Sequence, residues 1–474
     1  MSAITPEDMT VTEEAVALSA PPKEGESNAA LRIETPVKVV IASSFVLRLA
    51  GASTAIMLAA YLKQEMGTNI DVIGLLGALF YVVELTLAPV FGAISDLRGR
   101  RPILIMGPFL GALALLLYPV SAIASLSVLS VWIVAAARLF EGLSTAAKVP
   151  SALGYLADAT SGDTKRHAEL RGRVMGFYEI TFLVGLVGGN LLGSGLWESL
   201  KVSGFYIVSL IYLVATAMLF FFVPETLPPE AREHHDQHRQ SVEDTEHPVR
   251  ALLRSRLKAY ATLLKEPSLR SFIPAWLAIN AVVGVMGNLV QPTLLQPKDG
   301  TVSPFPNQVL DGKFTVGQAA FAFVGIGLVF MLGIFLWSLV YARVRKTDVM
   351  LISVGGLGLA CLAMYFINDQ VLPTTWGPWV MLPVLAIGIF LMSGFTPVAL
   401  GYLAEISGTR IEHRGAVMGL YSVFLGLGQL IGSGGGGVFV QGLGQGFNGI
   451  ILAVFLLGII ALVAVIWLRT KHAV

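Results

Sequence analysis

Twelve runs of about 20 predominantly apolar residues follow one another along the chain, each as long as a helix must be to cross a hydrocarbon core of ~30 Å. They lie near 38–62, 70–95, 102–121, 127–158, 172–195, 203–223, 268–296, 313–342, 348–367, 376–406, 414–437 and 445–468. Lipid offers no partner to a free backbone N–H or C=O, so runs of this kind fold as helices that satisfy those groups internally. Only 13% of the residues are charged, about half the usual share of a soluble domain. The expectation is an all-α, multi-pass membrane protein with twelve transmembrane helices. A single cysteine, Cys361, excludes a disulfide framework or a cysteine-rich metal site. A net charge of +1 gives no reason to expect a nucleic-acid partner. No glycine-rich loop ends in GK[ST], so neither a bound nucleotide nor any other cofactor is expected.

The basic residues set the expected sidedness. With both termini on one side, 25 of the 32 lysines and arginines fall in segments on that side, and four (Lys63, Lys201, Lys298 and Lys313) fall in loops on the other. The positive-inside rule then makes the termini cytoplasmic, in a plasma or inner membrane. Residues 1–36 are polar and acidic and read as a disordered cytoplasmic tail, and 470–474 as a short cytoplasmic C-terminus.

The longest polar interval, 224–267, holds Pro224, Pro228, Pro229 and a histidine cluster of His234, His235, His238 and His247. No spacing among these histidines fixes a coordination geometry, so the interval reads as a solvated linker. It divides the chain into an N-terminal six-helix bundle, 37–223, and a C-terminal one, 268–469. The halves repeat. PSALGYLAD at 150–158 returns as PVALGYLAE at 397–405, and RGRVMGFY at 171–178 as RGAVMGLY at 414–421. Parallel repeats about an axis along the membrane normal are one transporter design, with the solute site between the halves at the midplane. Channels also carry internal repeats, so the duplication alone does not decide for alternating access.

Between the second and third runs the chain reads Gly92-Ala-Ile-Ser-Asp96-Leu97-Arg98-Gly99-Arg100-Arg101-Pro102. This resembles the inner-loop signature of the major facilitator superfamily, with Leu97 where a basic residue is usual. The resemblance implies an inner gate built from Gly92, Asp96, Arg98, Gly99, Arg100 and Arg101. Arg138-Leu-Phe-Glu141-Gly142 is similar to the arginine-plus-glycine motif of the fourth helix, with Glu141 where glutamine is common. Gly185, Gly188, Gly189 and Gly193 resemble the fifth-helix motif of drug–proton antiporters. Asn190 replaces its proline and Ser194 its last glycine. Gly428, Gly432 and Gly436 repeat the pattern in the second half. Small residues at these spacings equally serve close helix packing. The resemblance covers 38–468 and implies a fold of two pseudo-symmetric six-helix bundles.

Six ionisable side chains fall inside the runs, all in the first half: Arg48, Glu84, Arg138, Glu141, Lys148 and Glu179. Such groups are costly in a membrane and mark solute or proton pathways by default. Arg138, Glu141, Thr145, Lys148 and Tyr155 follow helical spacings and should form one stripe along the fourth helix. Three positive and three negative charges can compensate one another, either as a static network or as a carboxylate that trades its cation for a proton. Glu84 and Glu141 suit that exchange by depth, with Arg48, Arg138 and Lys148 as partners. Glu179 lies nearer the inner end and suits gating or packing. The second half offers no comparable charge; Trp276 and Asn280, one turn apart, are its candidate solute contacts.

The expected function is secondary transport by alternating access of a small solute. Proton-coupled export of lipophilic or drug-like compounds by a monomer in the lipid bilayer leads. Proton-coupled or facilitative uptake of a small metabolite, such as a sugar or organic acid, is the alternative. A non-transporting assembly or sensor protein would have the same fold. No catalytic constellation lies at one depth, so an enzyme is not expected.

Overall fold

The computed structural model describes residues 33–160, 165–226, 264–297, 303–340, 344–373, 376–408 and 423–471, with Arg254 and Lys258. The tail, the histidine cluster of the linker and the 414–421 repeat lie outside the described residues. Eleven continuous stretches are long and apolar enough to cross a membrane. One of them, Glu169–Phe222, contains two helices separated by a tight turn at Lys201–Ser203, which makes twelve.

The first half comprises α1 (Thr35–Glu65), α2 (Ile70–Arg98), α3 (Arg100–Ser121), α4 (Ser130–Ala159), α5 (Lys165–Leu200) and α6 (Gly204–Phe222). The second comprises α7 (Pro267–Leu294), α8 (Val316–Val340), α9 (Lys346–Asn368), α10 (Gly377–Met392, then Phe395–Gly408), α11 (Val423–Leu443) and α12 (Phe447–Lys471). Proline opens α1, α7 and α10, where its missing N–H has no helical partner to lose. Gly99 alone separates α2 from α3, with φ +113, a backbone region closed to most other residues.

Several boundaries differ from the apolar runs. The chain enters α5 at Lys165, well before the apolar run begins near 172, because Lys165–Leu170 is polar yet helix-compatible and hydropathy reports only the part in lipid. At α11 the described helix starts at Val423, and 409–422 lie outside the described residues. Inside α10 the helix breaks at Ser393–Gly394. There the Phe390 carbonyl accepts from Trp337 Nε1 of α8 at 3.1 Å and from Ser393 Oγ at 2.7 Å.

The duplication reappears in the packing. α1 packs on α5 and α6, α2 on α4, and α3 on α4 and α6; in the second half α7 packs on α11 and α12, α8 on α10, and α9 on α10 and α12. The two halves meet through α2 on α11 and α5 on α8, pairs that the same relation exchanges. Tyr155 of α4 and Tyr402 of α10, equivalent in the repeat, are both buried. The result is two pseudo-symmetric bundles around a central seam.

Candidate functional site

The bundle has a terminal end, where α1 begins and α12 ends, and a distal end opposite. Along α4, counted from its distal start at Ser130, Arg138 lies about 12 Å deep and Lys148 about 27 Å. Arg138 bonds in several directions: NH1 to the Glu141 carboxylate one turn on, Nε to the Leu76 carbonyl of α2 at 3.2 Å. Its guanidinium lies over the Phe80 ring, 4.8 Å from the centroid. Arg48 sits over Tyr178 of α5 at 4.9 Å, and Lys148 over Tyr212 of α6 at 5.2 Å. Each mid-span cation thus rests on an aromatic face from another helix, a source of negative potential that needs no counter-charge.

Glu84 differs from Glu141. It is half-buried at the middle of α2 and makes no hydrogen bond or ion pair among the described residues. Lys148 and Arg138 act on it at longer range. Glu141 and Arg138 are each 12% exposed and closed on one another. Glu179 of α5 is exposed and adjoins Tyr178, the aromatic seat of Arg48.

The halves are bonded to each other at the distal end. Gln291 Nε2 of α7 donates to Asn190 Oδ1 of α5 at 2.9 Å, with both side chains buried. Ser433 Oγ of α11 donates to the Gly74 carbonyl of α2 at 2.9 Å. Gly317 N of α8 donates to Glu198 of α5 at 2.9 Å, and Gln64 Nε2 to the Gln296 carbonyl at 3.2 Å. Nearer the charges, Asn288 Nδ2 donates to Tyr81 OH at 3.3 Å. Three helices widen to i→i+5 turns at this end, at Tyr61–Glu65, Met286–Val290 and Ile431–Gly435. Such turns reset side-chain register and cluster at functional places.

A family model described as Major Facilitator Superfamily matches residues 40–297 and 299–474. The chain belongs to the major facilitator superfamily. Tetracycline resistance protein, class B, of Escherichia coli is 30% identical over 153 residues, 32% of this chain and 35% of that one. A bicyclomycin resistance protein homolog of Haemophilus influenzae is 29% identical over 148 residues, 30% of this chain and 33% of its own length. The aligned part thus spans about a third of these curated relatives. A crystal structure of a point variant of the nucleoside transporter NupG has a TM-score of 0.69 at 14% identity, covering 92% of this chain and all of that one.

The superfamily signature between α2 and α3 is pinned to its own half. Arg100 pairs with Asp96 and, through Nε, with Asp158 at the end of α4 at 3.0 Å. The Glu225 carboxylate, just after α6, accepts from the backbone N–H of Arg100 at 2.9 Å and of Arg101 at 3.1 Å, capping the start of α3. Arg101 also donates to the Phe220 carbonyl at 2.8 Å, whereas Arg98 is exposed and Gly92 buried. The bonds described for Arg100 and Arg101 therefore join α2, α3, α4 and α6.

The glycines of the superfamily-like motifs lie where helices approach most closely. A Cβ on Gly189 would meet the Leu49 carbonyl of α1, with Gly185 and Gly193 flanking it against Arg48 and Ser53. In the second half Gly432 faces the Ala281 carbonyl of α7, Gly428 faces Asn280, and Gly436 faces Val285. Trp276 and Asn280 sit in packed surroundings in this conformation. Trp276 stacks between Phe272 and Phe395 at 6.0 and 6.2 Å, and Asn280 donates to the Trp276 carbonyl at 2.8 Å. Asn190 stands out in the sequence only as a departure from a motif; its partner Gln291 sits 101 residues away, and no local signal links them.

Interhelical hydrogen bonds in membranes are worth about 0.6 and at most ~1.7 kcal/mol, or about three- to fifteen-fold in an equilibrium. Replacing Gln291 by leucine should raise exposure of the distal seam by that factor. The reaction rate of a cysteine at Val290 with a membrane-impermeant maleimide, measured after removal of Cys361, reports it. An unchanged rate would mean that the Gln291–Asn190 bond does not hold the seam shut.

Proposed function

We propose that this chain is a secondary transporter that exports a small lipophilic or drug-like compound in exchange for protons, its two halves rocking about a midplane cavity. The observation that carries the coupling is Glu84, a mid-span carboxylate without a bonded partner among the described residues that lies within electrostatic range of Lys148 and Arg138. A carrier of this kind needs one acidic group that holds a proton in one state and a cation in the other. The paired Glu141 and Arg138 supply a fixed neutral neighbour, and Glu84 the exchangeable site.

The bias of basic residues supports cytoplasmic termini, with the distal end as the outer one. With the seam bonded there, the conformation reads as inward-open, ready to load solute from the cytoplasm or the inner leaflet. Relatives named for resistance to tetracycline and bicyclomycin support export of drug-like compounds. The working unit is a monomer in a plasma or inner membrane, because the mid-span charges and both sides of the distal seam come from one chain.

Proteoliposomes with an imposed pH gradient test the reading. Glu84→Gln should still bind and equilibrate solute but lose acceleration by the gradient, whereas Glu141→Gln should weaken it less. Full gradient-driven flux in Glu84→Gln would remove Glu84 from the coupling site. Solute accumulation in the direction of proton flow would reverse the reading from export to uptake.

A further inference from the structure

The second half carries a hollow apart from the charged group of the first half. About 670 Å³ of space lies among α7, α8, α9 and α10 at the distal end, walled by residues that include Leu294, Phe321, Val329, Met364, Leu382 and Ile389. Its cause is a wedge between α8 and α10. Toward the terminal end these helices touch, Gly333 against Ser393 and Gly394 against the Trp337 ring. Toward the distal end small residues (Ala322, Gly325 and Ala386) line the gap, and a Cβ on Gly325 would meet only open space.

The hollow is roofed by the α7–α8 connection and reaches the bundle's outer surface at its side. Val309, Leu310 and Phe314 of the α7–α8 connection form its roof. That roof is fastened by Val309 N to the Asn368 carbonyl at 2.8 Å, Leu310 N to Asn368 Oδ1 at 2.9 Å and Phe314 N to the Leu294 carbonyl at 2.9 Å. At its side stand Phe321, 69% exposed, and Leu382, 51% exposed, on the bundle's outer surface. Trp379, 77% exposed at the start of α10, marks the level of the membrane interface. From that level the hollow follows α8 from Phe321 to Val329, about 12 Å. That is less than half of a ~30 Å core, so it lies within one leaflet.

Gln370 is the one polar side chain among the described lining, at the interface end. It is exposed and its backbone is left-handed, φ 50, uncommon for any residue but glycine. Water needs two to four polar partners and finds too few here. An empty hollow would forfeit dispersion contacts along its whole wall. A long alkyl chain with one polar group at its end matches every feature. We propose that the hollow binds one acyl chain of a phospholipid from the distal leaflet, with Gln370 bonded at the ester level. Lipid tails are as apolar as the wall, so the selection is by shape and packing rather than by transfer from water. The site is independent of which solute the central cavity carries.

The full chain in proteoliposomes containing phosphatidylcholine with a diazirine in its sn-2 chain gives the test. Adducts mapped by mass spectrometry should concentrate on 321–329 and 382–389, well above the exposed α12 face at Phe455, Ile459 and Val463. Gly325→Phe, which fills open space, should lower those adducts to the α12 level while leaving α12 labelling unchanged. Ala386→Leu serves the same purpose if the first variant does not fold. Equal labelling of the two faces in the natural chain, or labelling untouched by either filled variant, would overturn the proposal. So would loss of the adducts on adding excess tetraphenylphosphonium, which would make the hollow a vestibule for lipophilic solutes.

Discussion

Gly74→Val should abolish transport while leaving a folded, inserted protein. A Cβ at Gly74 would meet the Ser433 carbonyl and lie 2.9 Å from Gly437 Cα, so backbone stands against backbone where α2 crosses α11. Neither neighbour is a flexible side-chain end, so the helices must separate. Overpacking of this kind costs about 1–3 kcal/mol or more; at the upper end that is ~100-fold against the closed distal seam. The penalty acts between the halves rather than within one. Gly432→Val makes a still tighter contact with the Ala281 carbonyl, but inside the second half. It should lower the yield of folded protein instead. Solute flux, folded yield and maleimide access to a distal cysteine separate the two outcomes. If Gly74→Val keeps its flux, or loses folded protein as severely as Gly432→Val, the crossing is not a conformational gate.

The second large effect is expected at Arg138. Removing one partner of a buried ion pair costs about 3–5 kcal/mol, because the other charge stays behind unpaired. Arg138→Ala would strand Glu141 and also release the Leu76 carbonyl and the Phe80 ring. Its melting temperature in detergent should fall further than that of any other single change proposed for the charged group. Arg138→Met combined with Glu141→Gln should recover most of the loss, a coupling that a double-mutant cycle measures directly. The recovered protein should still fail to use a pH gradient, since Arg138 is also one of the cations acting on Glu84. A double variant no more stable than Arg138→Ala would show that the pair is not the unit that matters.

These two predictions draw on different kinds of information in the chain. Arg138 and Glu141 were visible early, because an ionisable residue in an apolar run stands out and their three-residue spacing puts them on one helical face. The twelve helices were visible for the same reason, since lipid leaves the backbone no alternative to hydrogen-bonding itself. Gly74 was not singled out. It is one of 50 glycines, and what distinguishes it is a neighbour more than 350 residues away. The break in α10 was equally silent, because Ser393–Gly394 sits in an apolar run that reads as one span and depends on Trp337 of α8 for its hydrogen bond. The aromatic seats of Arg48 and Lys148, Tyr178 and Tyr212, also come from other helices. Glu84 is legible as a charge at depth, but not as a carboxylate without a bonded partner among the described residues, since that depends on where Arg138 turns.

The distal seam has a property that bears on how such a chain tolerates mutation. In three of its contacts one partner is main chain: the Gly74 carbonyl, the Gln296 carbonyl and the Gly317 amide. A main-chain group is supplied by almost any residue, so these positions cannot lose the bond through a change of hydrogen-bonding chemistry. Only the side-chain partners, Ser433, Gln64 and Glu198, can be deleted outright. In a genetic selection for variants with a loosened seam, loss-of-bond alleles should therefore accumulate on those three residues and on Gln291 and Asn190, whose bond joins two side chains. Alleles at Gly74 would act by bulk, in the opposite helix, and would not be rescued by restoring polarity. Half of each of these three contacts is hidden from a mutational scan, and a map of sensitive positions would show them as a one-sided latch where the molecule has a two-sided one.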